Sequence, residues 1–158
     1  MIKLSEIILI GGGGHCRSCI DVIEAQGKYK IAGIVIKPGE NSDPFLGYKV
    51  LGDDNDLPSL FKKYTIALIS VGQIKNAEPR ERLFLRTQKI GFELPTIISP
   101  LAYVSCNAIL GVGTIIMHDA LVNSGERIGK NCILNTKSLV EHNAIVEDHC
   151  HISTASIV

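Results

Sequence analysis

From Ile7 to Ile10 the chain is continuously aliphatic, which predicts a short buried strand. Four glycines follow, Gly11 to Gly14. Cys16, Cys19, Ile20 and Ile23 then recur at i, i+3, i+4 and i+7, one face of a helix that Gly27 would end. Ile31–Ile36 reads as a second strand. Residues 37–56 are polar and rich in Gly, Pro, Asn and Asp, and read as loop with a short strand around Tyr48–Leu51. Leu57–Tyr64 reads as a short helix with Pro58 in its first turn. Ile66–Ser70 reads as a third strand. Pro79–Lys89 reads as a helix with Leu83, Phe84 and Ile90 inward, Arg80, Glu81, Arg82 and Arg86 mostly outward, and Gly91 at its end. Alternating strands and helices predict a small, Rossmann-like parallel sheet flanked by helices, an α/β domain over residues 1–97.

Beyond residue 97 the period changes. Stepping by six from Ile98 meets Val104, Leu110, Ile116, Val122, Ile128, Leu134, Val140, Val146, Ile152 and Val158, all aliphatic. The residue four after each is small (Ala102, Ala108, Thr114, Ala120, Cys132, Ser138, Ala144, Cys150, Ser156), with Glu126 as the exception. A six-residue period of this kind is the signature of a parallel β-helix. Each hexapeptide forms one side of a triangular prism, its aliphatic residue points inward, and its small residue fits the corner. Three hexapeptides close a coil, and coils stack at the spacing of paired strands, about 4.8 Å. Such repeats coil left-handed, an exception to the usual right-handed crossover. Residues 98–158 therefore read as an all-β, left-handed parallel β-helix.

Composition narrows the picture. Sixteen basic and 16 acidic side chains cancel, which argues against a nucleic-acid partner. No apolar run reaches the length of a membrane span, and the run at the start is too short for a signal peptide and is broken by Glu6. The expectation is a soluble, cytoplasmic protein. Five cysteines without a secretory signal read as reduced thiols. Cys16-Arg-Ser-Cys19 is a C-x-x-C, but no second pair exists to complete a zinc site and both thiols fall on the apolar helix face, so packing is the expected role and no metal is expected.

The strand–glycine–helix turn at Gly11–Gly14 brings backbone N–H groups to a helix N-terminus, where a phosphate can sit. The alternative is a tight turn that packs helix on strand. Cys16 stands where the dinucleotide pattern needs glycine, and strand 2 ends Ile36-Lys37 without an acid, so NAD is not expected. His142 is the third residue of its hexapeptide, at a place where a side chain faces outward. An imidazole there suits proton removal near neutral pH, against the alternative of a surface histidine on a scaffold. His151 takes a position filled by Ile133, Leu139, Ile145 or Ile157 in other repeats, which suggests a use or an edge facing solvent. His118 and His149 read as structural or surface residues.

Taken in order, Ile10-Gly-Gly-Gly-Gly-His15, Ile69-Ser-Val-Gly72, Leu134-Asn-Thr136, Val140-Glu-His142 and His151-Ile-Ser153 resemble one family along the whole chain. It is the bacterial sugar acetyltransferases of the sialic acid O-acetyltransferase (NeuD) type, with the UDP-4-amino-sugar N-acetyltransferases (PglD-like) among its members. The resemblance implies an acetyl-CoA-dependent acetyltransferase acting on an amino or hydroxyl group of a bacterial sugar, UDP-linked in the first reading. His142 is implied as general base, with Asn143 and Glu141 as orienting groups. Asn143 stands where the family commonly has an acid, and the direction of Glu141 is not set by the repeat. His151 is implied near the thioester end of acetyl-CoA, and Gly11, Gly12, Gly13, Gly14, His15 and Gly72 around the diphosphate. Direct transfer without metal or acetyl-enzyme is expected, in a homotrimer that covers the outward apolar residues Ile109, Ile115, Leu121, Ile133, Leu139 and Ile145. The family runs on for further coils, so the chain reads as C-terminally truncated. Two alternatives accompany this reading: O-acetylation of free sialic-type sugars, and a catalytically weak trimeric sugar-binding scaffold or fragment.

Overall fold

The computed structural model describes residues 4–40 and 46–158; the central part of the predicted 37–56 loop and the first three residues lie outside it. The chain forms two compact units, Met1–Gly72 with Glu78–Leu94, and Gln73–Ala77 with Pro95–Val158.

In the first unit, β1 (Ser5–Ile10) leads through the glycine turn into α1 (Gly14–Gln26), followed by β2 (Tyr29–Ile36), β3 (Val50–Asp53), α2 (Leu57–Leu60), β4 (Ile66–Ile69) and α3 (Glu78–Ile90). The four strands are parallel, in the order β3-β2-β1-β4. Ile7 to Ile10 are fully buried because central parallel strands are covered on both faces. Gly27 closes α1 with a left-handed residue at φ 67°, its N–H donating to the Ile23 carbonyl. The strand expected at Tyr48–Leu51 is displaced to Val50–Asp53. The helix expected over Leu57–Tyr64 starts at Leu57 as expected, after a 3-10 turn (Asp54–Asp56) that Asp53 caps through a reciprocal box with Asp56. It is one turn long, because the bonds that follow tighten to i→i−3, Lys62 N–H to the Ser59 carbonyl and Lys63 N–H to the Leu60 carbonyl.

One expectation about α3 is overturned. Arg80 is not on the outward face; it is fully buried, the largest fully buried side chain. Its Nη1 donates to the carbonyls of Ile69 at 2.6 Å and Val71 at 2.8 Å. A helical periodicity sees only a charged residue and cannot anticipate two carbonyls, at the end of β4 and just beyond it, that need donors.

In the second unit, ten two-residue strands, β5 (Ile97–Ile98) to β14 (His151–Ile152), recur every six residues. Each pairs in parallel with the strand 18 residues away, as in Ile97–Ile115–Ile133–His151, forming three sheets, β14-β11-β8-β5, β12-β9-β6 and β13-β10-β7. This is the left-handed parallel β-helix. The inward aliphatics Ile116, Val122, Ile128, Leu134, Val140 and Val146 are buried to 4% exposure or less. Each contributes about 1.5–3 kcal/mol of burial.

The corners have a rule the six-residue spacing alone did not reveal. Three residues after each inward aliphatic from Leu110 to Ile152, the backbone is left-handed: Gly113, Asp119, Gly125, Asn131, Lys137, Asn143, His149 and Ala155. Five of these are Gly, Asn or Asp, the residues that reach this region at least cost. The small residue comes next and faces the interior. Of the six outward apolar residues, Ile115 and Ile133 are fully buried, correcting the expectation that all six need a partner subunit; Ile109 and Ile145 are exposed.

Candidate functional site

In the first unit, the parallel sheet sets the ends of β1 and β4 side by side. Ser70 N donates to the Ile10 carbonyl, and Ser70 Oγ donates to the Gly11 carbonyl at 2.7 Å. Gly11 is left-handed at φ 116°, and a Cβ there would lie 2.5 Å from Val71 Cγ2. Gly72 in turn packs on His15, whose Cβ would be 3.2 Å from a side chain at 72. The fold thus brings Gly11, Gly12, Gly13, Gly14, His15 and Gly72 together. No side chain caps α1, whose N-cap is Gly13, so the turn presents backbone to whatever occupies it.

The cysteines behind this turn carry no reactive thiolate. Burial pushes the Cys16 thiol up to about 11, against smaller opposing effects of a Ser70 hydrogen bond and Arg17. Burial raises Cys19 further, opposed by the charge of Arg80. A thiol kept neutral is neither nucleophile nor metal ligand. Among the described residues no three His, Cys, Asp or Glu side chains cluster to hold a metal ion.

In the second unit, Glu141, His142 and Asn143 form one corner and all three are exposed. Asn143 takes the left-handed position at φ 63°. Its side-chain amide lies 3.4 Å from His142 Nδ1. Glu141 does not face the imidazole. Its Oε2 accepts from Asn123 Nδ2 at 2.9 Å, one coil below, and from the His142 backbone N–H at 3.3 Å. The carboxylate therefore fixes the peptide that carries the ring. His142 Nε2 has no partner among the described residues.

A second arrangement surrounds His151. Its Nδ1 bonds the Gln73 carbonyl, which can only accept, so Nδ1 carries the proton and Nε2 is the acceptor. Asn135 Nδ2 donates to that Nε2 at 3.1 Å. Gln73 Nε2 donates to the His149 carbonyl at 2.8 Å, pinning segment 73–77 to the coils. Gln73–Ala77, Asn135, His151, Ser153 and Thr154 line a cleft of about 550 Å³, with Lys75 on its wall. No residue of the Glu141–Asn143 corner lines it.

His118 and His149 are tied into the scaffold. His118 Nδ1 bonds Ser99 Oγ at 2.6 Å, and His149 Nδ1 bonds Asn131 at 2.9 Å.

Residues 6–86 match the PglD N-terminal domain family. A variant of perosamine N-acetyltransferase from Caulobacter crescentus, solved with CoA and GDP-perosamine, is 30% identical, with 98% of this chain and 71% of that one covered and a TM-score of 0.89. The chain belongs to the PglD-like sugar acetyltransferases. The acetyltransferase domain of PglB from Neisseria gonorrhoeae, solved with acetyl coenzyme A, is 29% identical over 98% of this chain and 73% of that one, at a TM-score of 0.87. WeeI from Acinetobacter baumannii, at 20% identity over 93% and 69% and a TM-score of 0.75, shares the fold.

As a member of the PglD-like acetyltransferases, the chain has three positions that sequence reasoning did not assign. Asn135 was part of a motif without a role. Asn123 lies 18 residues before Glu141, so the coil period would have found it. Gln73 reaches the histidines through tertiary structure alone, and no sequence signal points to it.

Proposed function

We propose that this protein transfers the acetyl group of acetyl-CoA directly to an amino or hydroxyl group of a nucleotide-linked sugar, with His142 as general base. The observation that carries the reading is the His142 corner: an exposed imidazole, its peptide held by Glu141, Nδ1 beside Asn143 and Nε2 open. Nε2 takes the proton from the acceptor as its nitrogen or oxygen attacks the thioester carbonyl. Collapse of the tetrahedral adduct releases CoA thiolate, which recovers that proton as the free thiol. Asn143 orients the ring without supplying charge, and Glu141 steadies its peptide.

His151 and Asn135 are assigned to the thioester end of acetyl-CoA, where a ring of fixed tautomer and a side-chain amide offer polar contacts. Gly11–Gly14, His15 and Gly72 are assigned to the diphosphate. CoA and GDP-perosamine together in the Caulobacter relative support the presence of a CoA site and a nucleotide-sugar site and favour an amino acceptor. The UDP linkage of the first reading and a GDP linkage are separate arms of the test. A homotrimer is proposed from the exposed Ile109 and Ile145.

The test is CoA release from acetyl-CoA against UDP- and GDP-linked 4-amino sugars and free sialic-type sugars, with His142→Ala alongside. Turnover with a nucleotide amino sugar is expected, reduced about 10²- to 10⁴-fold in the variant, the usual worth of a general base. Undiminished turnover in His142→Ala would remove the base assignment. Turnover with free sugars alone would remove the nucleotide.

A further inference from the structure

We infer that Arg80 is a positioning residue for the nucleotide-sugar subsite, acting through a second glycine turn, Ile69–Gly72. The inference rests on the reading of Gly11–Gly14 and Gly72 as the diphosphate cradle. β4 is the edge strand of the sheet, order β3-β2-β1-β4. Near its start, Thr65 and Ala67 find partners in Glu93. At its end and just beyond it, the carbonyls of Ile69 and Val71 pair with no strand among the described residues, and Arg80 Nη1 supplies the donor to both. Those carbonyls flank Ser70, whose N–H and hydroxyl bond Ile10 and Gly11 on the opposite side. Arg80 and Ser70 therefore clamp the same three residues from two directions.

The clamp reaches the cradle by contact. Gly11 has no room beyond the Val71 side chain and backbone, and Gly72 packs against His15. A shift of Val71 by a few tenths of an ångström moves both glycine turns. A full positive charge held at 0% exposure also lies in the wall of a subsite that would take an anion. Its field is felt locally: it lowers the Cys19 thiol against the larger effect of burial. Both bonds leave one nitrogen, Nη1, held in place by a long stem and a rigid planar guanidinium, whereas lysine offers a shorter stem and a freely rotating ammonium.

The test uses the full chain and two readouts. Binding of UDP and GDP is measured calorimetrically for wild type, Arg80→Lys, Arg80→Gln and Ser70→Ala, and steady-state constants are measured with the accepted sugar. Both Arg80 variants should weaken nucleoside diphosphate binding and raise the sugar's KM about tenfold, the effect of one charge-assisted hydrogen bond, with KM for acetyl-CoA and kcat little changed. Ser70→Ala, which removes the opposite strut and keeps the charge, should move the same constant less. A purely structural role would lower the melting temperature and the amount of active enzyme while leaving both KM values alone. Wild type that binds, with Arg80→Lys and Ser70→Ala that are folded and bind equally well, would overturn the inference alone. Wild type that binds neither nucleotide would overturn the cradle and the inference together.

Discussion

At the residue scale, Asn143 and Glu126 differ in consequence. Asn143 is a corner residue first: at φ 63° a β-branched side chain would be strained, and asparagine is among the few that reach this region readily. Its place beside the His142 ring is a second use of a residue the backbone already demands. Glu126 is a different matter. It stands in the small column between Ala108 and Ala144, is fully buried, and neither carboxylate oxygen has a hydrogen-bond partner among the described residues. An unsatisfied buried polar group costs on the order of 1–3 kcal/mol, and a charged one more. Glu126→Ala should therefore raise the unfolding midpoint in denaturant without altering CoA release. A midpoint that falls would mean the carboxylate has a partner in the assembled protein.

At the scale of elements, the glycine turn and α1 form one buried object whose apolar face includes two thiols. Cys16 and Cys19 are raised by desolvation, Cys16 to about 11 from an unfolded value near 9. A folded value above the unfolded one means the neutral thiol is favoured in the fold. The stability this gives is fully present below pH 9 and is lost as pH rises toward 11. Stability measured by denaturant should fall across that window, and the fall should shrink in Cys16→Ala and Cys19→Ala. Both thiols should resist alkylation at pH 8 in the native state. Rapid labelling of either one at that pH would contradict the burial of the α1 face.

The same elements show how far pattern reading goes. β1, α1 and β4 appear within a residue or two of their predicted spans, because continuous aliphatic runs and an i, i+3, i+4, i+7 face are local signals. The one-turn length of α2 depends on a tightening to i→i−3 bonds at Lys62 and Lys63 that hydrophobic periodicity does not register. The burial of Arg80 depends on β4 being an edge strand, which is a property of sheet order. Within the candidate site, the outward place of His142 was legible from its position in the repeat. The direction of Glu141 was not, since its partner Asn123 lies in the coil below.

For the whole molecule, two outward columns of the prism leave apolar side chains in solvent. Tyr103 and Ile157 are 60% and 71% exposed at one, Ile109 and Ile145 are 61% and 66% exposed at another. Exposed apolar residues aligned along stacked coils mark an association surface. Light scattering at micromolar concentration should give three chains per particle, and Ile145→Glu should shift it toward the monomer. A wild-type monomer under those conditions would remove the trimer proposal.

What the sequence determined by itself was the period. Six residues per side follow from inward aliphatics, because each side sends one large aliphatic residue and one small corner residue into a prism interior that admits no water. The alternation of strands and helices before residue 97 was likewise written locally, in runs and glycines. The tertiary structure decided which distant groups meet. It set Gln73 on His151, Asn123 on Glu141, and Arg80 under the turn that begins at Ile69. Hydrogen-bond satisfaction of buried backbone is a constraint on the folded chain as a whole, and no local pattern of polar and apolar residues encodes who the partner will be.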